Sequence, residues 1–586
     1  MQTSYTADPA PMVYEGRLYL YTSHDEDVTV KNFFTMNDWR LYSTVDMVNW
    51  TDHGSPASYK TFSWGTGDAW APHGIARNGK FYLYVPLNNS TGSKIGVAVA
   101  DSPLGPFKDA LGKALIATGG GNIDPTVFID DDNQAYLYWG NPDLWYVKLN
   151  SDMISYAGSP TKVNLTTAGF GTRSNSDRAT AYEEGPWFYK RDALYYLVFP
   201  ADGTPEKISY STSSGPLGPW SFGGDIMAKQ TGNASSFTNH PGVIDYKGKS
   251  YFFYHNAALP GGGGFKRSVC VEEFTYASNG KIPTIQMSKS GPAAVATLDP
   301  FQQVEAETIA FSSGLKTETC SDTGGGLNVT SISNGDYIKM KNVDFKDGVK
   351  SFEARVSSST SNAKIELRLD SQAGALIGTC DVSGVTAWAT KTCAVSGASS
   401  THDLYLGFVG GTGDLFKFNS WKFVGSTPSN GGTGGTTGTT GGSAGNSSSG
   451  GSNGGVSGST SAMGGTRAAT GGETVSAGAS GGASATGGSN AGESGSSSNS
   501  TAAGGGSSAH SGGASSGLGG GSGGLAAGGT GLASGNPGTP RSENGCGCRM
   551  SSRSSQSSLL ASAVLIGLAL QRRSGTRRRG SRSRSI

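Results

Sequence analysis

Cysteine is scarce in this chain: six in 586 residues, with no Cys-x-x-Cys pair and no histidine close enough in sequence to complete a metal set. A disulfide-dense scaffold and a zinc-stabilised fold are both excluded as the basis of its stability. Charge of one sign is missing too. With 45 basic residues against 44 acidic ones, the chain lacks the electrostatic footprint of a nucleic-acid binder. Long apolar runs are absent. The best, Leu559 to Leu570, falls short of the roughly 18 to 20 residues that span a bilayer. Helical periodicity is almost absent before residue 298, and no basic region with an apolar core precedes Asp8.

What is present is aromatic and repetitive. Up to about residue 297, short strand-like runs of Tyr, Trp and Phe are bounded by Gly, Asn and Asp. Five times, a dipeptide ending in proline precedes such a run by about ten positions. Asp8-Pro9 leads to Tyr19 in GRLYLY, Ala71-Pro72 to Tyr82 in GKFYLY, and Asp124-Pro125 to Tyr136 in QAYLYW. Gly185-Pro186 leads to Tyr195 in ALYYLV and His240-Pro241 to Tyr251 in KSYFFY. The five tyrosines lie 54 to 63 residues apart, the length of one four-stranded propeller blade, and five copies close a ring. A second echo, TVDMVNWTDHG, ADSPLGPFKDA and SGPLGPWSFGG, recurs in phase as a turn and outer strand.

The fold class expected is therefore all-β. Residues 1–297 are predicted to form a five-bladed β-propeller. Residues 301–425, with alternating segments such as DYIKMKNVDF, AKIELRLDS and HDLYLGFV, are predicted to form a β-sandwich of jelly-roll type. Residues 426–543 are almost all Gly, Ser, Thr, Ala and Asn, so they are expected to be a disordered linker that buries too little apolar surface to offset its backbone entropy. Residues 544–586 carry Cys546 and Cys548, the short apolar run and seven arginines among the last fifteen residues. Cys380 and Cys393 flank a strand-sized interval and are candidates to pair, which implies an oxidising compartment. Cys270 and Cys320 read as buried or free thiols.

A ring brings equivalent positions of all blades around one axis, so the polar residues beside the prolines become neighbours. These are Asp8, Asp124 and His240, with Glu184 one step before Gly185-Pro186. Hydrolysis of a glycosidic bond needs two carboxyl groups, one protonated to release the leaving oxygen and one ionised to activate water or attack the sugar. Asp8, Asp124 and Glu184 offer three, and the third serves to raise the pKa of the acid. Trp70, Trp139 and Trp187 lie close to the same blade positions and supply candidate faces for a sugar ring. Asp25 in TSHDED is a candidate pocket residue, whereas Asp130-Asp131-Asp132 reads as a solvated hairpin turn.

On the segments TADPAPMVYEGRLYLYTSHDED, DAWAPHGIARNGKFYLY, GNIDPTVFIDDD, YEEGPWFYKRDALYYL and NHPGVIDYKGKSYFFYHNA, residues 1–297 resemble glycoside hydrolase family 43. The resemblance implies a five-bladed propeller that inverts configuration. It implies Asp8 as general base, Asp124 as pKa modulator and orienter, and Glu184 as general acid, while strand alternation turns Glu183 away. It implies that His240 lies on the axis, holding calcium or water, and that Arg267 reaches the sugar or Asp124. Residues 301–425 resemble carbohydrate-binding module family 6. That implies a calcium site at Glu305 and Glu307, two aromatics, Tyr337 and Trp388, that sandwich a sugar ring, and Asn419 beside them. The tail is similar to the C-terminal sorting signals of myxobacterial surface proteins, which implies surface display, with the export signal expected upstream of Met1.

The function these features imply is release of arabinofuranose or xylose units from arabinoxylan, xylan or arabinan, with no catalytic cofactor. A non-catalytic carbohydrate-binding surface adhesin is the alternative, disfavoured because a lectin has no use for an acid, a base and a modulator together. Retaining fructosidases share the propeller but carry Arg before Asp-Pro and Cys after the Glu, where this chain has Ile123 and Gly185.

Overall fold

The computed structural model describes residues 2–426 apart from 31, 119 and 120; the expected linker and the Cys-motif tail lie outside the described residues. Almost every regular element is a strand, and all strand pairings in the blades are antiparallel. Blade 1 comprises Tyr5–Tyr14, Arg17–Asp25, Asp38–Thr44 and Trp50–Asp52; blade 2 comprises His73–Arg77, Lys80–Asn89, Gly92–Ala100 and Lys108–Asp109. Blade 3 is Thr126–Ile129, Ala135–Trp139, Trp145–Leu149 and Tyr156–Lys162, and blade 4 is Trp187–Arg191, Leu194–Ala201, Lys207–Ser213 and Ser221–Met227. Blade 5 has three strands, Gly242–Tyr246, Lys249–Asn256 and Ser268–Phe274, rather than the four expected. The first strands of the five blades contact one another in cyclic order, and the last of them touches Tyr5–Tyr14, so the ring is closed.

Local chemistry explains the hairpins. The turns Glu15-Gly16, Asn78-Gly79 and Lys247-Gly248, which join first and second strands, have positive φ at both residues, the geometry that matches the twist of a two-residue hairpin. Second strands are packed between two neighbouring blades and so bury both faces. In Ala135–Trp139 every residue is buried, which is why the run AYLYW shows no polar alternation. The five repeat tyrosines all lie on these second strands.

Two sheets follow. One runs in the order Lys316–Thr319, Leu327–Thr330, Lys417–Gly425, Val349–Ser358, Val385–Ala394, and the other in the order Phe311–Ser313, Tyr337–Asp344, Thr401–Gly410, Ala363–Leu369, Leu376–Asp381. Ile338, Met340, Phe352, Ile365, Leu406 and Phe418 are fully buried between them. Cys380 and Cys393 form a disulfide that ties the two sheets together.

The sandwich is joined to blade 1 by backbone. Thr308–Ile309 pairs with Trp50–Asp52 as an added edge strand, and the Asn49 amide exchanges two hydrogen bonds of 2.8 Å with the Lys341 backbone. Asp52 accepts hydroxyl bonds from Thr3 at 2.8 Å and from Thr317 at 3.0 Å, and Lys316 pairs with Asp27 at 3.0 Å. An exposed blade edge is thereby covered, which removes a site for unwanted strand pairing.

Because 13 positions separate Cys380 from Cys393, replacing both by serine is expected to lower the stability of the sandwich by about 3 kcal/mol through loss of the closed loop. Denaturant unfolding followed on a sandwich probe checks this, and an unchanged midpoint contradicts it.

Candidate active site

Asp8, Asp124 and Gly185 each precede a proline, and each adopts a left-handed backbone, with φ of 53°, 58° and 52°. For aspartate this conformation is strained and persists only where the surroundings enforce it. At Asp8 it coincides with a break in strand register between Ala7 and Ala10, which turns the side chain out of the ladder. In blade 4 the strained position goes to a glycine, and the acid stands one residue earlier, at Glu184. A Cβ on Gly185 would lie 2.9 Å from the Pro200 ring and 3.0 Å from His240 Nδ1, so the close approach of His240 also requires glycine here.

The three carboxyl groups meet in one buried cluster with different surroundings. Asp8 is 6% exposed; its Oδ2 accepts the Ser23 hydroxyl at 2.6 Å and its Oδ1 accepts Arg267 Nη1 at 3.2 Å. Burial alone would raise its pKa. Arg267 above all, with the two neighbouring imidazoles and the Ser23 hydroxyl, overcomes this and holds it at about 2. Glu184 is pushed the other way, up to about 7, first by burial and then by the charges of Glu183 and Asp8, against a hydrogen bond from the Asn141 amide. Asp124 is raised by burial, then by Glu184 and Asp8, but its Oδ2 accepts the Gly185 N–H at 3.1 Å, which favours its ionised form. Asp124 and Glu184 are both pushed up, first by burial, and each also accepts one N–H that favours its ionised form, Asp124 from Gly185 and Glu184 from Asn141, so the two titrate as a pair. The cluster therefore holds one committed carboxylate, Asp8, beside a pair whose surroundings favour retention of a proton.

Both histidines beside Asp8 are neutral. The Asp8 N–H donates to His255 Nδ1 at 3.1 Å, so the ring proton sits on Nε2, which donates to the Thr238 carbonyl at 2.8 Å. Burial pushes His255 down to about 3 and His240 to about 4. The 3.6 Å approach of each Nδ1 to Asp8 Oδ1 is thus a contact with a neutral ring, and Arg267 is the charge that matters at neutral pH.

Arg267, 2% exposed, lies immediately before the last strand of blade 5 and reaches across the seam to blade 1; of the two expected partners, the sugar or Asp124, it makes no hydrogen bond to Asp124 among the described residues and bonds Asp8 instead. Its Nε and Nη2 donate to Asp25 at 2.9 Å, its backbone N–H donates to Asp25 at 2.8 Å, and Nη1 also reaches Thr238 Oγ1 at 2.9 Å. Asp25 is consequently no pocket residue: it is 0% exposed and both its oxygens are spent on Arg267. Trp139 is likewise withdrawn from the pocket. It is 0% exposed, packed with Val97, Leu137 and Met153, and its Nε1 donates to Asn122 Oδ1 at 3.1 Å. Trp70 is half-buried at the mouth of blade 2, and Trp187 is buried with its ring 4.8 Å from His73 and its Nε1 bonded to Val243 O at 2.9 Å. Glu183 turns away from the cluster and pairs with Arg173 and Arg178. In the acidic turn only Asp131 and Asp132 are solvated; Asp130 is buried and accepts the Tyr195 hydroxyl at 2.6 Å.

Three members of the site carry no repeat signal. Asn141 holds Glu184, His255 holds the Asp8 backbone, and Glu206, 3% exposed, accepts the Asn239 N–H at 2.8 Å. Burial, then the charge of Glu184, pushes Glu206 well above its ordinary value, which favours the neutral form of this fourth carboxyl group behind the cluster.

In the sandwich, Tyr337 and Trp388 do not face one another. Ile338 is fully buried, so Tyr337 beside it stands on the solvent face of its sheet, 5.9 Å from Tyr405. The register Phe352↔Cys393 and Val356↔Ala389 puts Trp388 on the outer face of the opposite sheet, where its Nε1 donates to Ser321 at 3.0 Å. The core separates the two rings, and the expected sandwich of one sugar between them is not formed. Asn419 shares the Trp388 side: it donates to Asp322 at 3.0 Å, which is also held by Arg355 at 2.7 Å. Glu305 accepts from Gln303 at 3.1 Å. Glu307 is 4% exposed and its Oε2 has no hydrogen-bond partner among the described residues; burial, then Glu305 and Asp52, push it up to about 9.

The sequence profile of glycosyl hydrolases family 43 matches residues 2–282, and that of carbohydrate binding module family 6 matches residues 305–425. The arabinoxylan arabinofuranohydrolase of Bacillus subtilis (strain 168) is 36% identical over 475 residues, covering 71% of this chain and 90% of the relative. That of Paenibacillus polymyxa is 32% identical over 479 residues, 73% of each chain. The crystal structure of a family 43 arabinoxylan arabinofuranohydrolase from Bacillus subtilis, in complex with cellotetraose, aligns with a TM-score of 0.63 at 32% identity, over 73% of this chain and 97% of that one.

Arg267→Ala leaves Asp25 buried without a counter-charge, and the expected loss of stability at neutral pH is about 3–5 kcal/mol. Adding Asp25→Leu is expected to restore part of it. Urea unfolding of the two variants decides, and an Arg267→Ala midpoint equal to wild type contradicts the pairing.

Proposed function

The chain belongs to glycosyl hydrolase family 43, and on that premise we propose that it is an inverting glycoside hydrolase that releases arabinofuranosyl units, or xylosyl units, from arabinoxylan. The observation that carries this reading is the split protonation of one buried cluster, with Asp8 held near 2 and Glu184 raised to about 7. Inverting hydrolysis demands that pair at neutral pH. In the proposed step a water molecule attacks the anomeric carbon while Asp8 takes its proton. The glycosidic C–O bond breaks, and Glu184 gives its proton to the departing oxygen. Asp124, bonded to the Gly185 N–H, keeps Glu184 protonated and oriented. No cofactor takes part in these transfers. His240 and Trp70 are assigned to the pocket wall, and Arg267 and Asp25 act through Asp8 as positioning residues.

The division of labour follows the two kinds of sheet. Residues 1–297 are assigned the chemistry and 301–425 the holding of polymer, which raises local substrate concentration without altering the reaction. Trp388 with Asn419 on one face and Tyr337 with Tyr405 on the other are proposed as separate contacts for polymer. Glu305 and Glu307 suit a calcium ion, since Glu307 offers an unpartnered buried oxygen that a hard cation would satisfy; bound there it would neutralise charge rather than take part in catalysis. At the ring axis the proposed calcium ligand, His240, presents nitrogen where calcium prefers oxygen, which leaves an axial ion dependent on water. The Cys380–Cys393 pair supports an oxidising compartment, and a surface location through residues 544–586 is proposed on the motif of that tail.

The test is sugar release from arabinoxylan, arabinan and xylo-oligosaccharides. Asp8→Asn and Glu184→Gln are each expected to lower kcat by about 10²–10⁴-fold or more with binding to the polymer retained. Binding without release by the wild type would instead support the adhesin.

Activity is expected to fall as pH rises through about 7, where Glu184 loses the proton it must donate. No acid limb is expected until the pH approaches the low value of Asp8. The Asn141 hydrogen bond lowers the Glu184 pKa, so Asn141→Ala is expected to move the alkaline limb upward. A pH–rate profile on a soluble arabinofuranoside checks the sign; a limb that moves down contradicts the assignment of Glu184.

A further inference from the structure

We propose that four phenylalanines at the mouth of the pocket form a shelf that holds pyranose rings of the polysaccharide backbone beside the unit being cleaved; this rests on the glycosidase reading above. Phe33 and Phe34 lie in the segment between Arg17–Asp25 and Asp38–Thr44, Phe237 just before the first strand of blade 5, and Phe265 just before Ser268–Phe274. These segments are at the end of the propeller where Asp124, Glu184 and His240 precede their inner strands. Phe265 is the hub, with ring centroids 4.8 Å from Phe34, 5.7 Å from Phe33 and 4.8 Å from Phe237. The Phe34 ring lies 4.6 Å from the Arg267 guanidinium carbon, and Arg267 holds Asp8, so the shelf is continuous with the catalytic cluster.

The shelf is open and ordered. Phe33 is 51% exposed and Phe237 38%, and with Val28 and Val30 they make four of the eleven exposed large hydrophobic side chains among the described residues. Concentration in two neighbouring segments marks a contact surface rather than random scatter. Glu26 N–H bonds to Thr35 O at 2.9 Å and Val30 N–H to Thr35 Oγ1 at 2.8 Å, which fixes the segment that carries Phe33. A Cβ on Gly264 would lie 2.1 Å from the Phe237 ring, so the backbone there is kept bare for that ring. The exposed faces are uncharged, and Asp27, in the same segment as Phe33, is already paired with Lys316. Flat apolar faces beside polar groups suit the C–H face of a neutral sugar, whose hydroxyls point to the rim. A dimer would need about 800 Å² on each partner, more than these few half-exposed side chains present.

The experiment uses the full chain as wild type, Phe33→Ala, Phe237→Ala and Phe33→Trp, with arabinoxylan and 4-nitrophenyl α-L-arabinofuranoside as substrates. The small glycoside fills the pocket and presents no pyranose ring to the shelf. Each alanine variant is expected to raise KM for arabinoxylan about three- to tenfold with kcat within about twofold and to leave kcat/KM for the small glycoside unchanged, whereas Phe33→Trp, which keeps an aromatic face at that position, is expected to hold KM near the wild-type value. Equal losses on both substrates would overturn the proposal and mean that the rings act through Arg267. An unchanged KM on arabinoxylan would overturn it as well, as would a wild-type dimer that Phe33→Ala converts to monomer in sedimentation. A wild type inert on both substrates would overturn the glycosidase reading and the shelf with it.

Discussion

Arg267 is held by two carboxylates: Asp25 accepts its backbone N–H, Nε and Nη2, and Asp8 accepts Nη1, which also reaches Thr238. The Arg267–Asp25 pair spans the seam between the last blade and the first, where the Thr6 N–H also bonds to the Arg267 carbonyl at 2.8 Å. The contact that closes the ring is therefore the contact that keeps Asp8 ionised. A buried ion pair of this kind stabilises little compared with apolar packing, but loss of either partner is costly, so the geometry around Asp8 is enforced by the fold itself. The remaining face of the guanidinium is covered by Phe34. Ring closure, the charge of the proposed base and the floor of the aromatic shelf depend on one side chain.

Backbone conformation supplies the second constraint. Left-handed residues before proline in blades 1 and 3 hold their carboxylates off the strand ladder, and rigid flanking sheets sustain the strain. In blade 4 the glycine removes that strain and at the same time lets His240 approach. Its N–H then donates to Asp124, so one residue couples the proposed acid to its modulator. The protonation split follows from these contacts: Asp8 has a guanidinium and a hydroxyl, whereas Glu184 has burial, like charges and one amide.

The five-fold period made the blades and Asp8, Asp124, Glu184 and His240 legible in the sequence, because equivalent positions in a ring must converge. The period says nothing about partners across the seam. Asp25 and Arg267 lie 242 residues apart, and only the closed ring shows that each satisfies the other. Trp139 was misleading for a related reason: a strand packed between two blades buries both faces, so an aromatic beside the motif is as readily core as pocket. In the sandwich, a family motif located Tyr337 and Trp388 in sequence, but strand register sends them to opposite faces. Glu206 and Asn141 fall outside the proline register, and neither was visible before the chain was folded.

The most direct test of the account is the configuration of the sugar first released from arabinoxylan, followed by ¹H NMR before mutarotation. One acid and one base acting on water predict a product whose anomeric configuration is opposite to that of the bond cleaved. A product of retained configuration would mean that a carboxylate had bonded to the sugar, and the division of roles between Asp8 and Glu184 would be wrong.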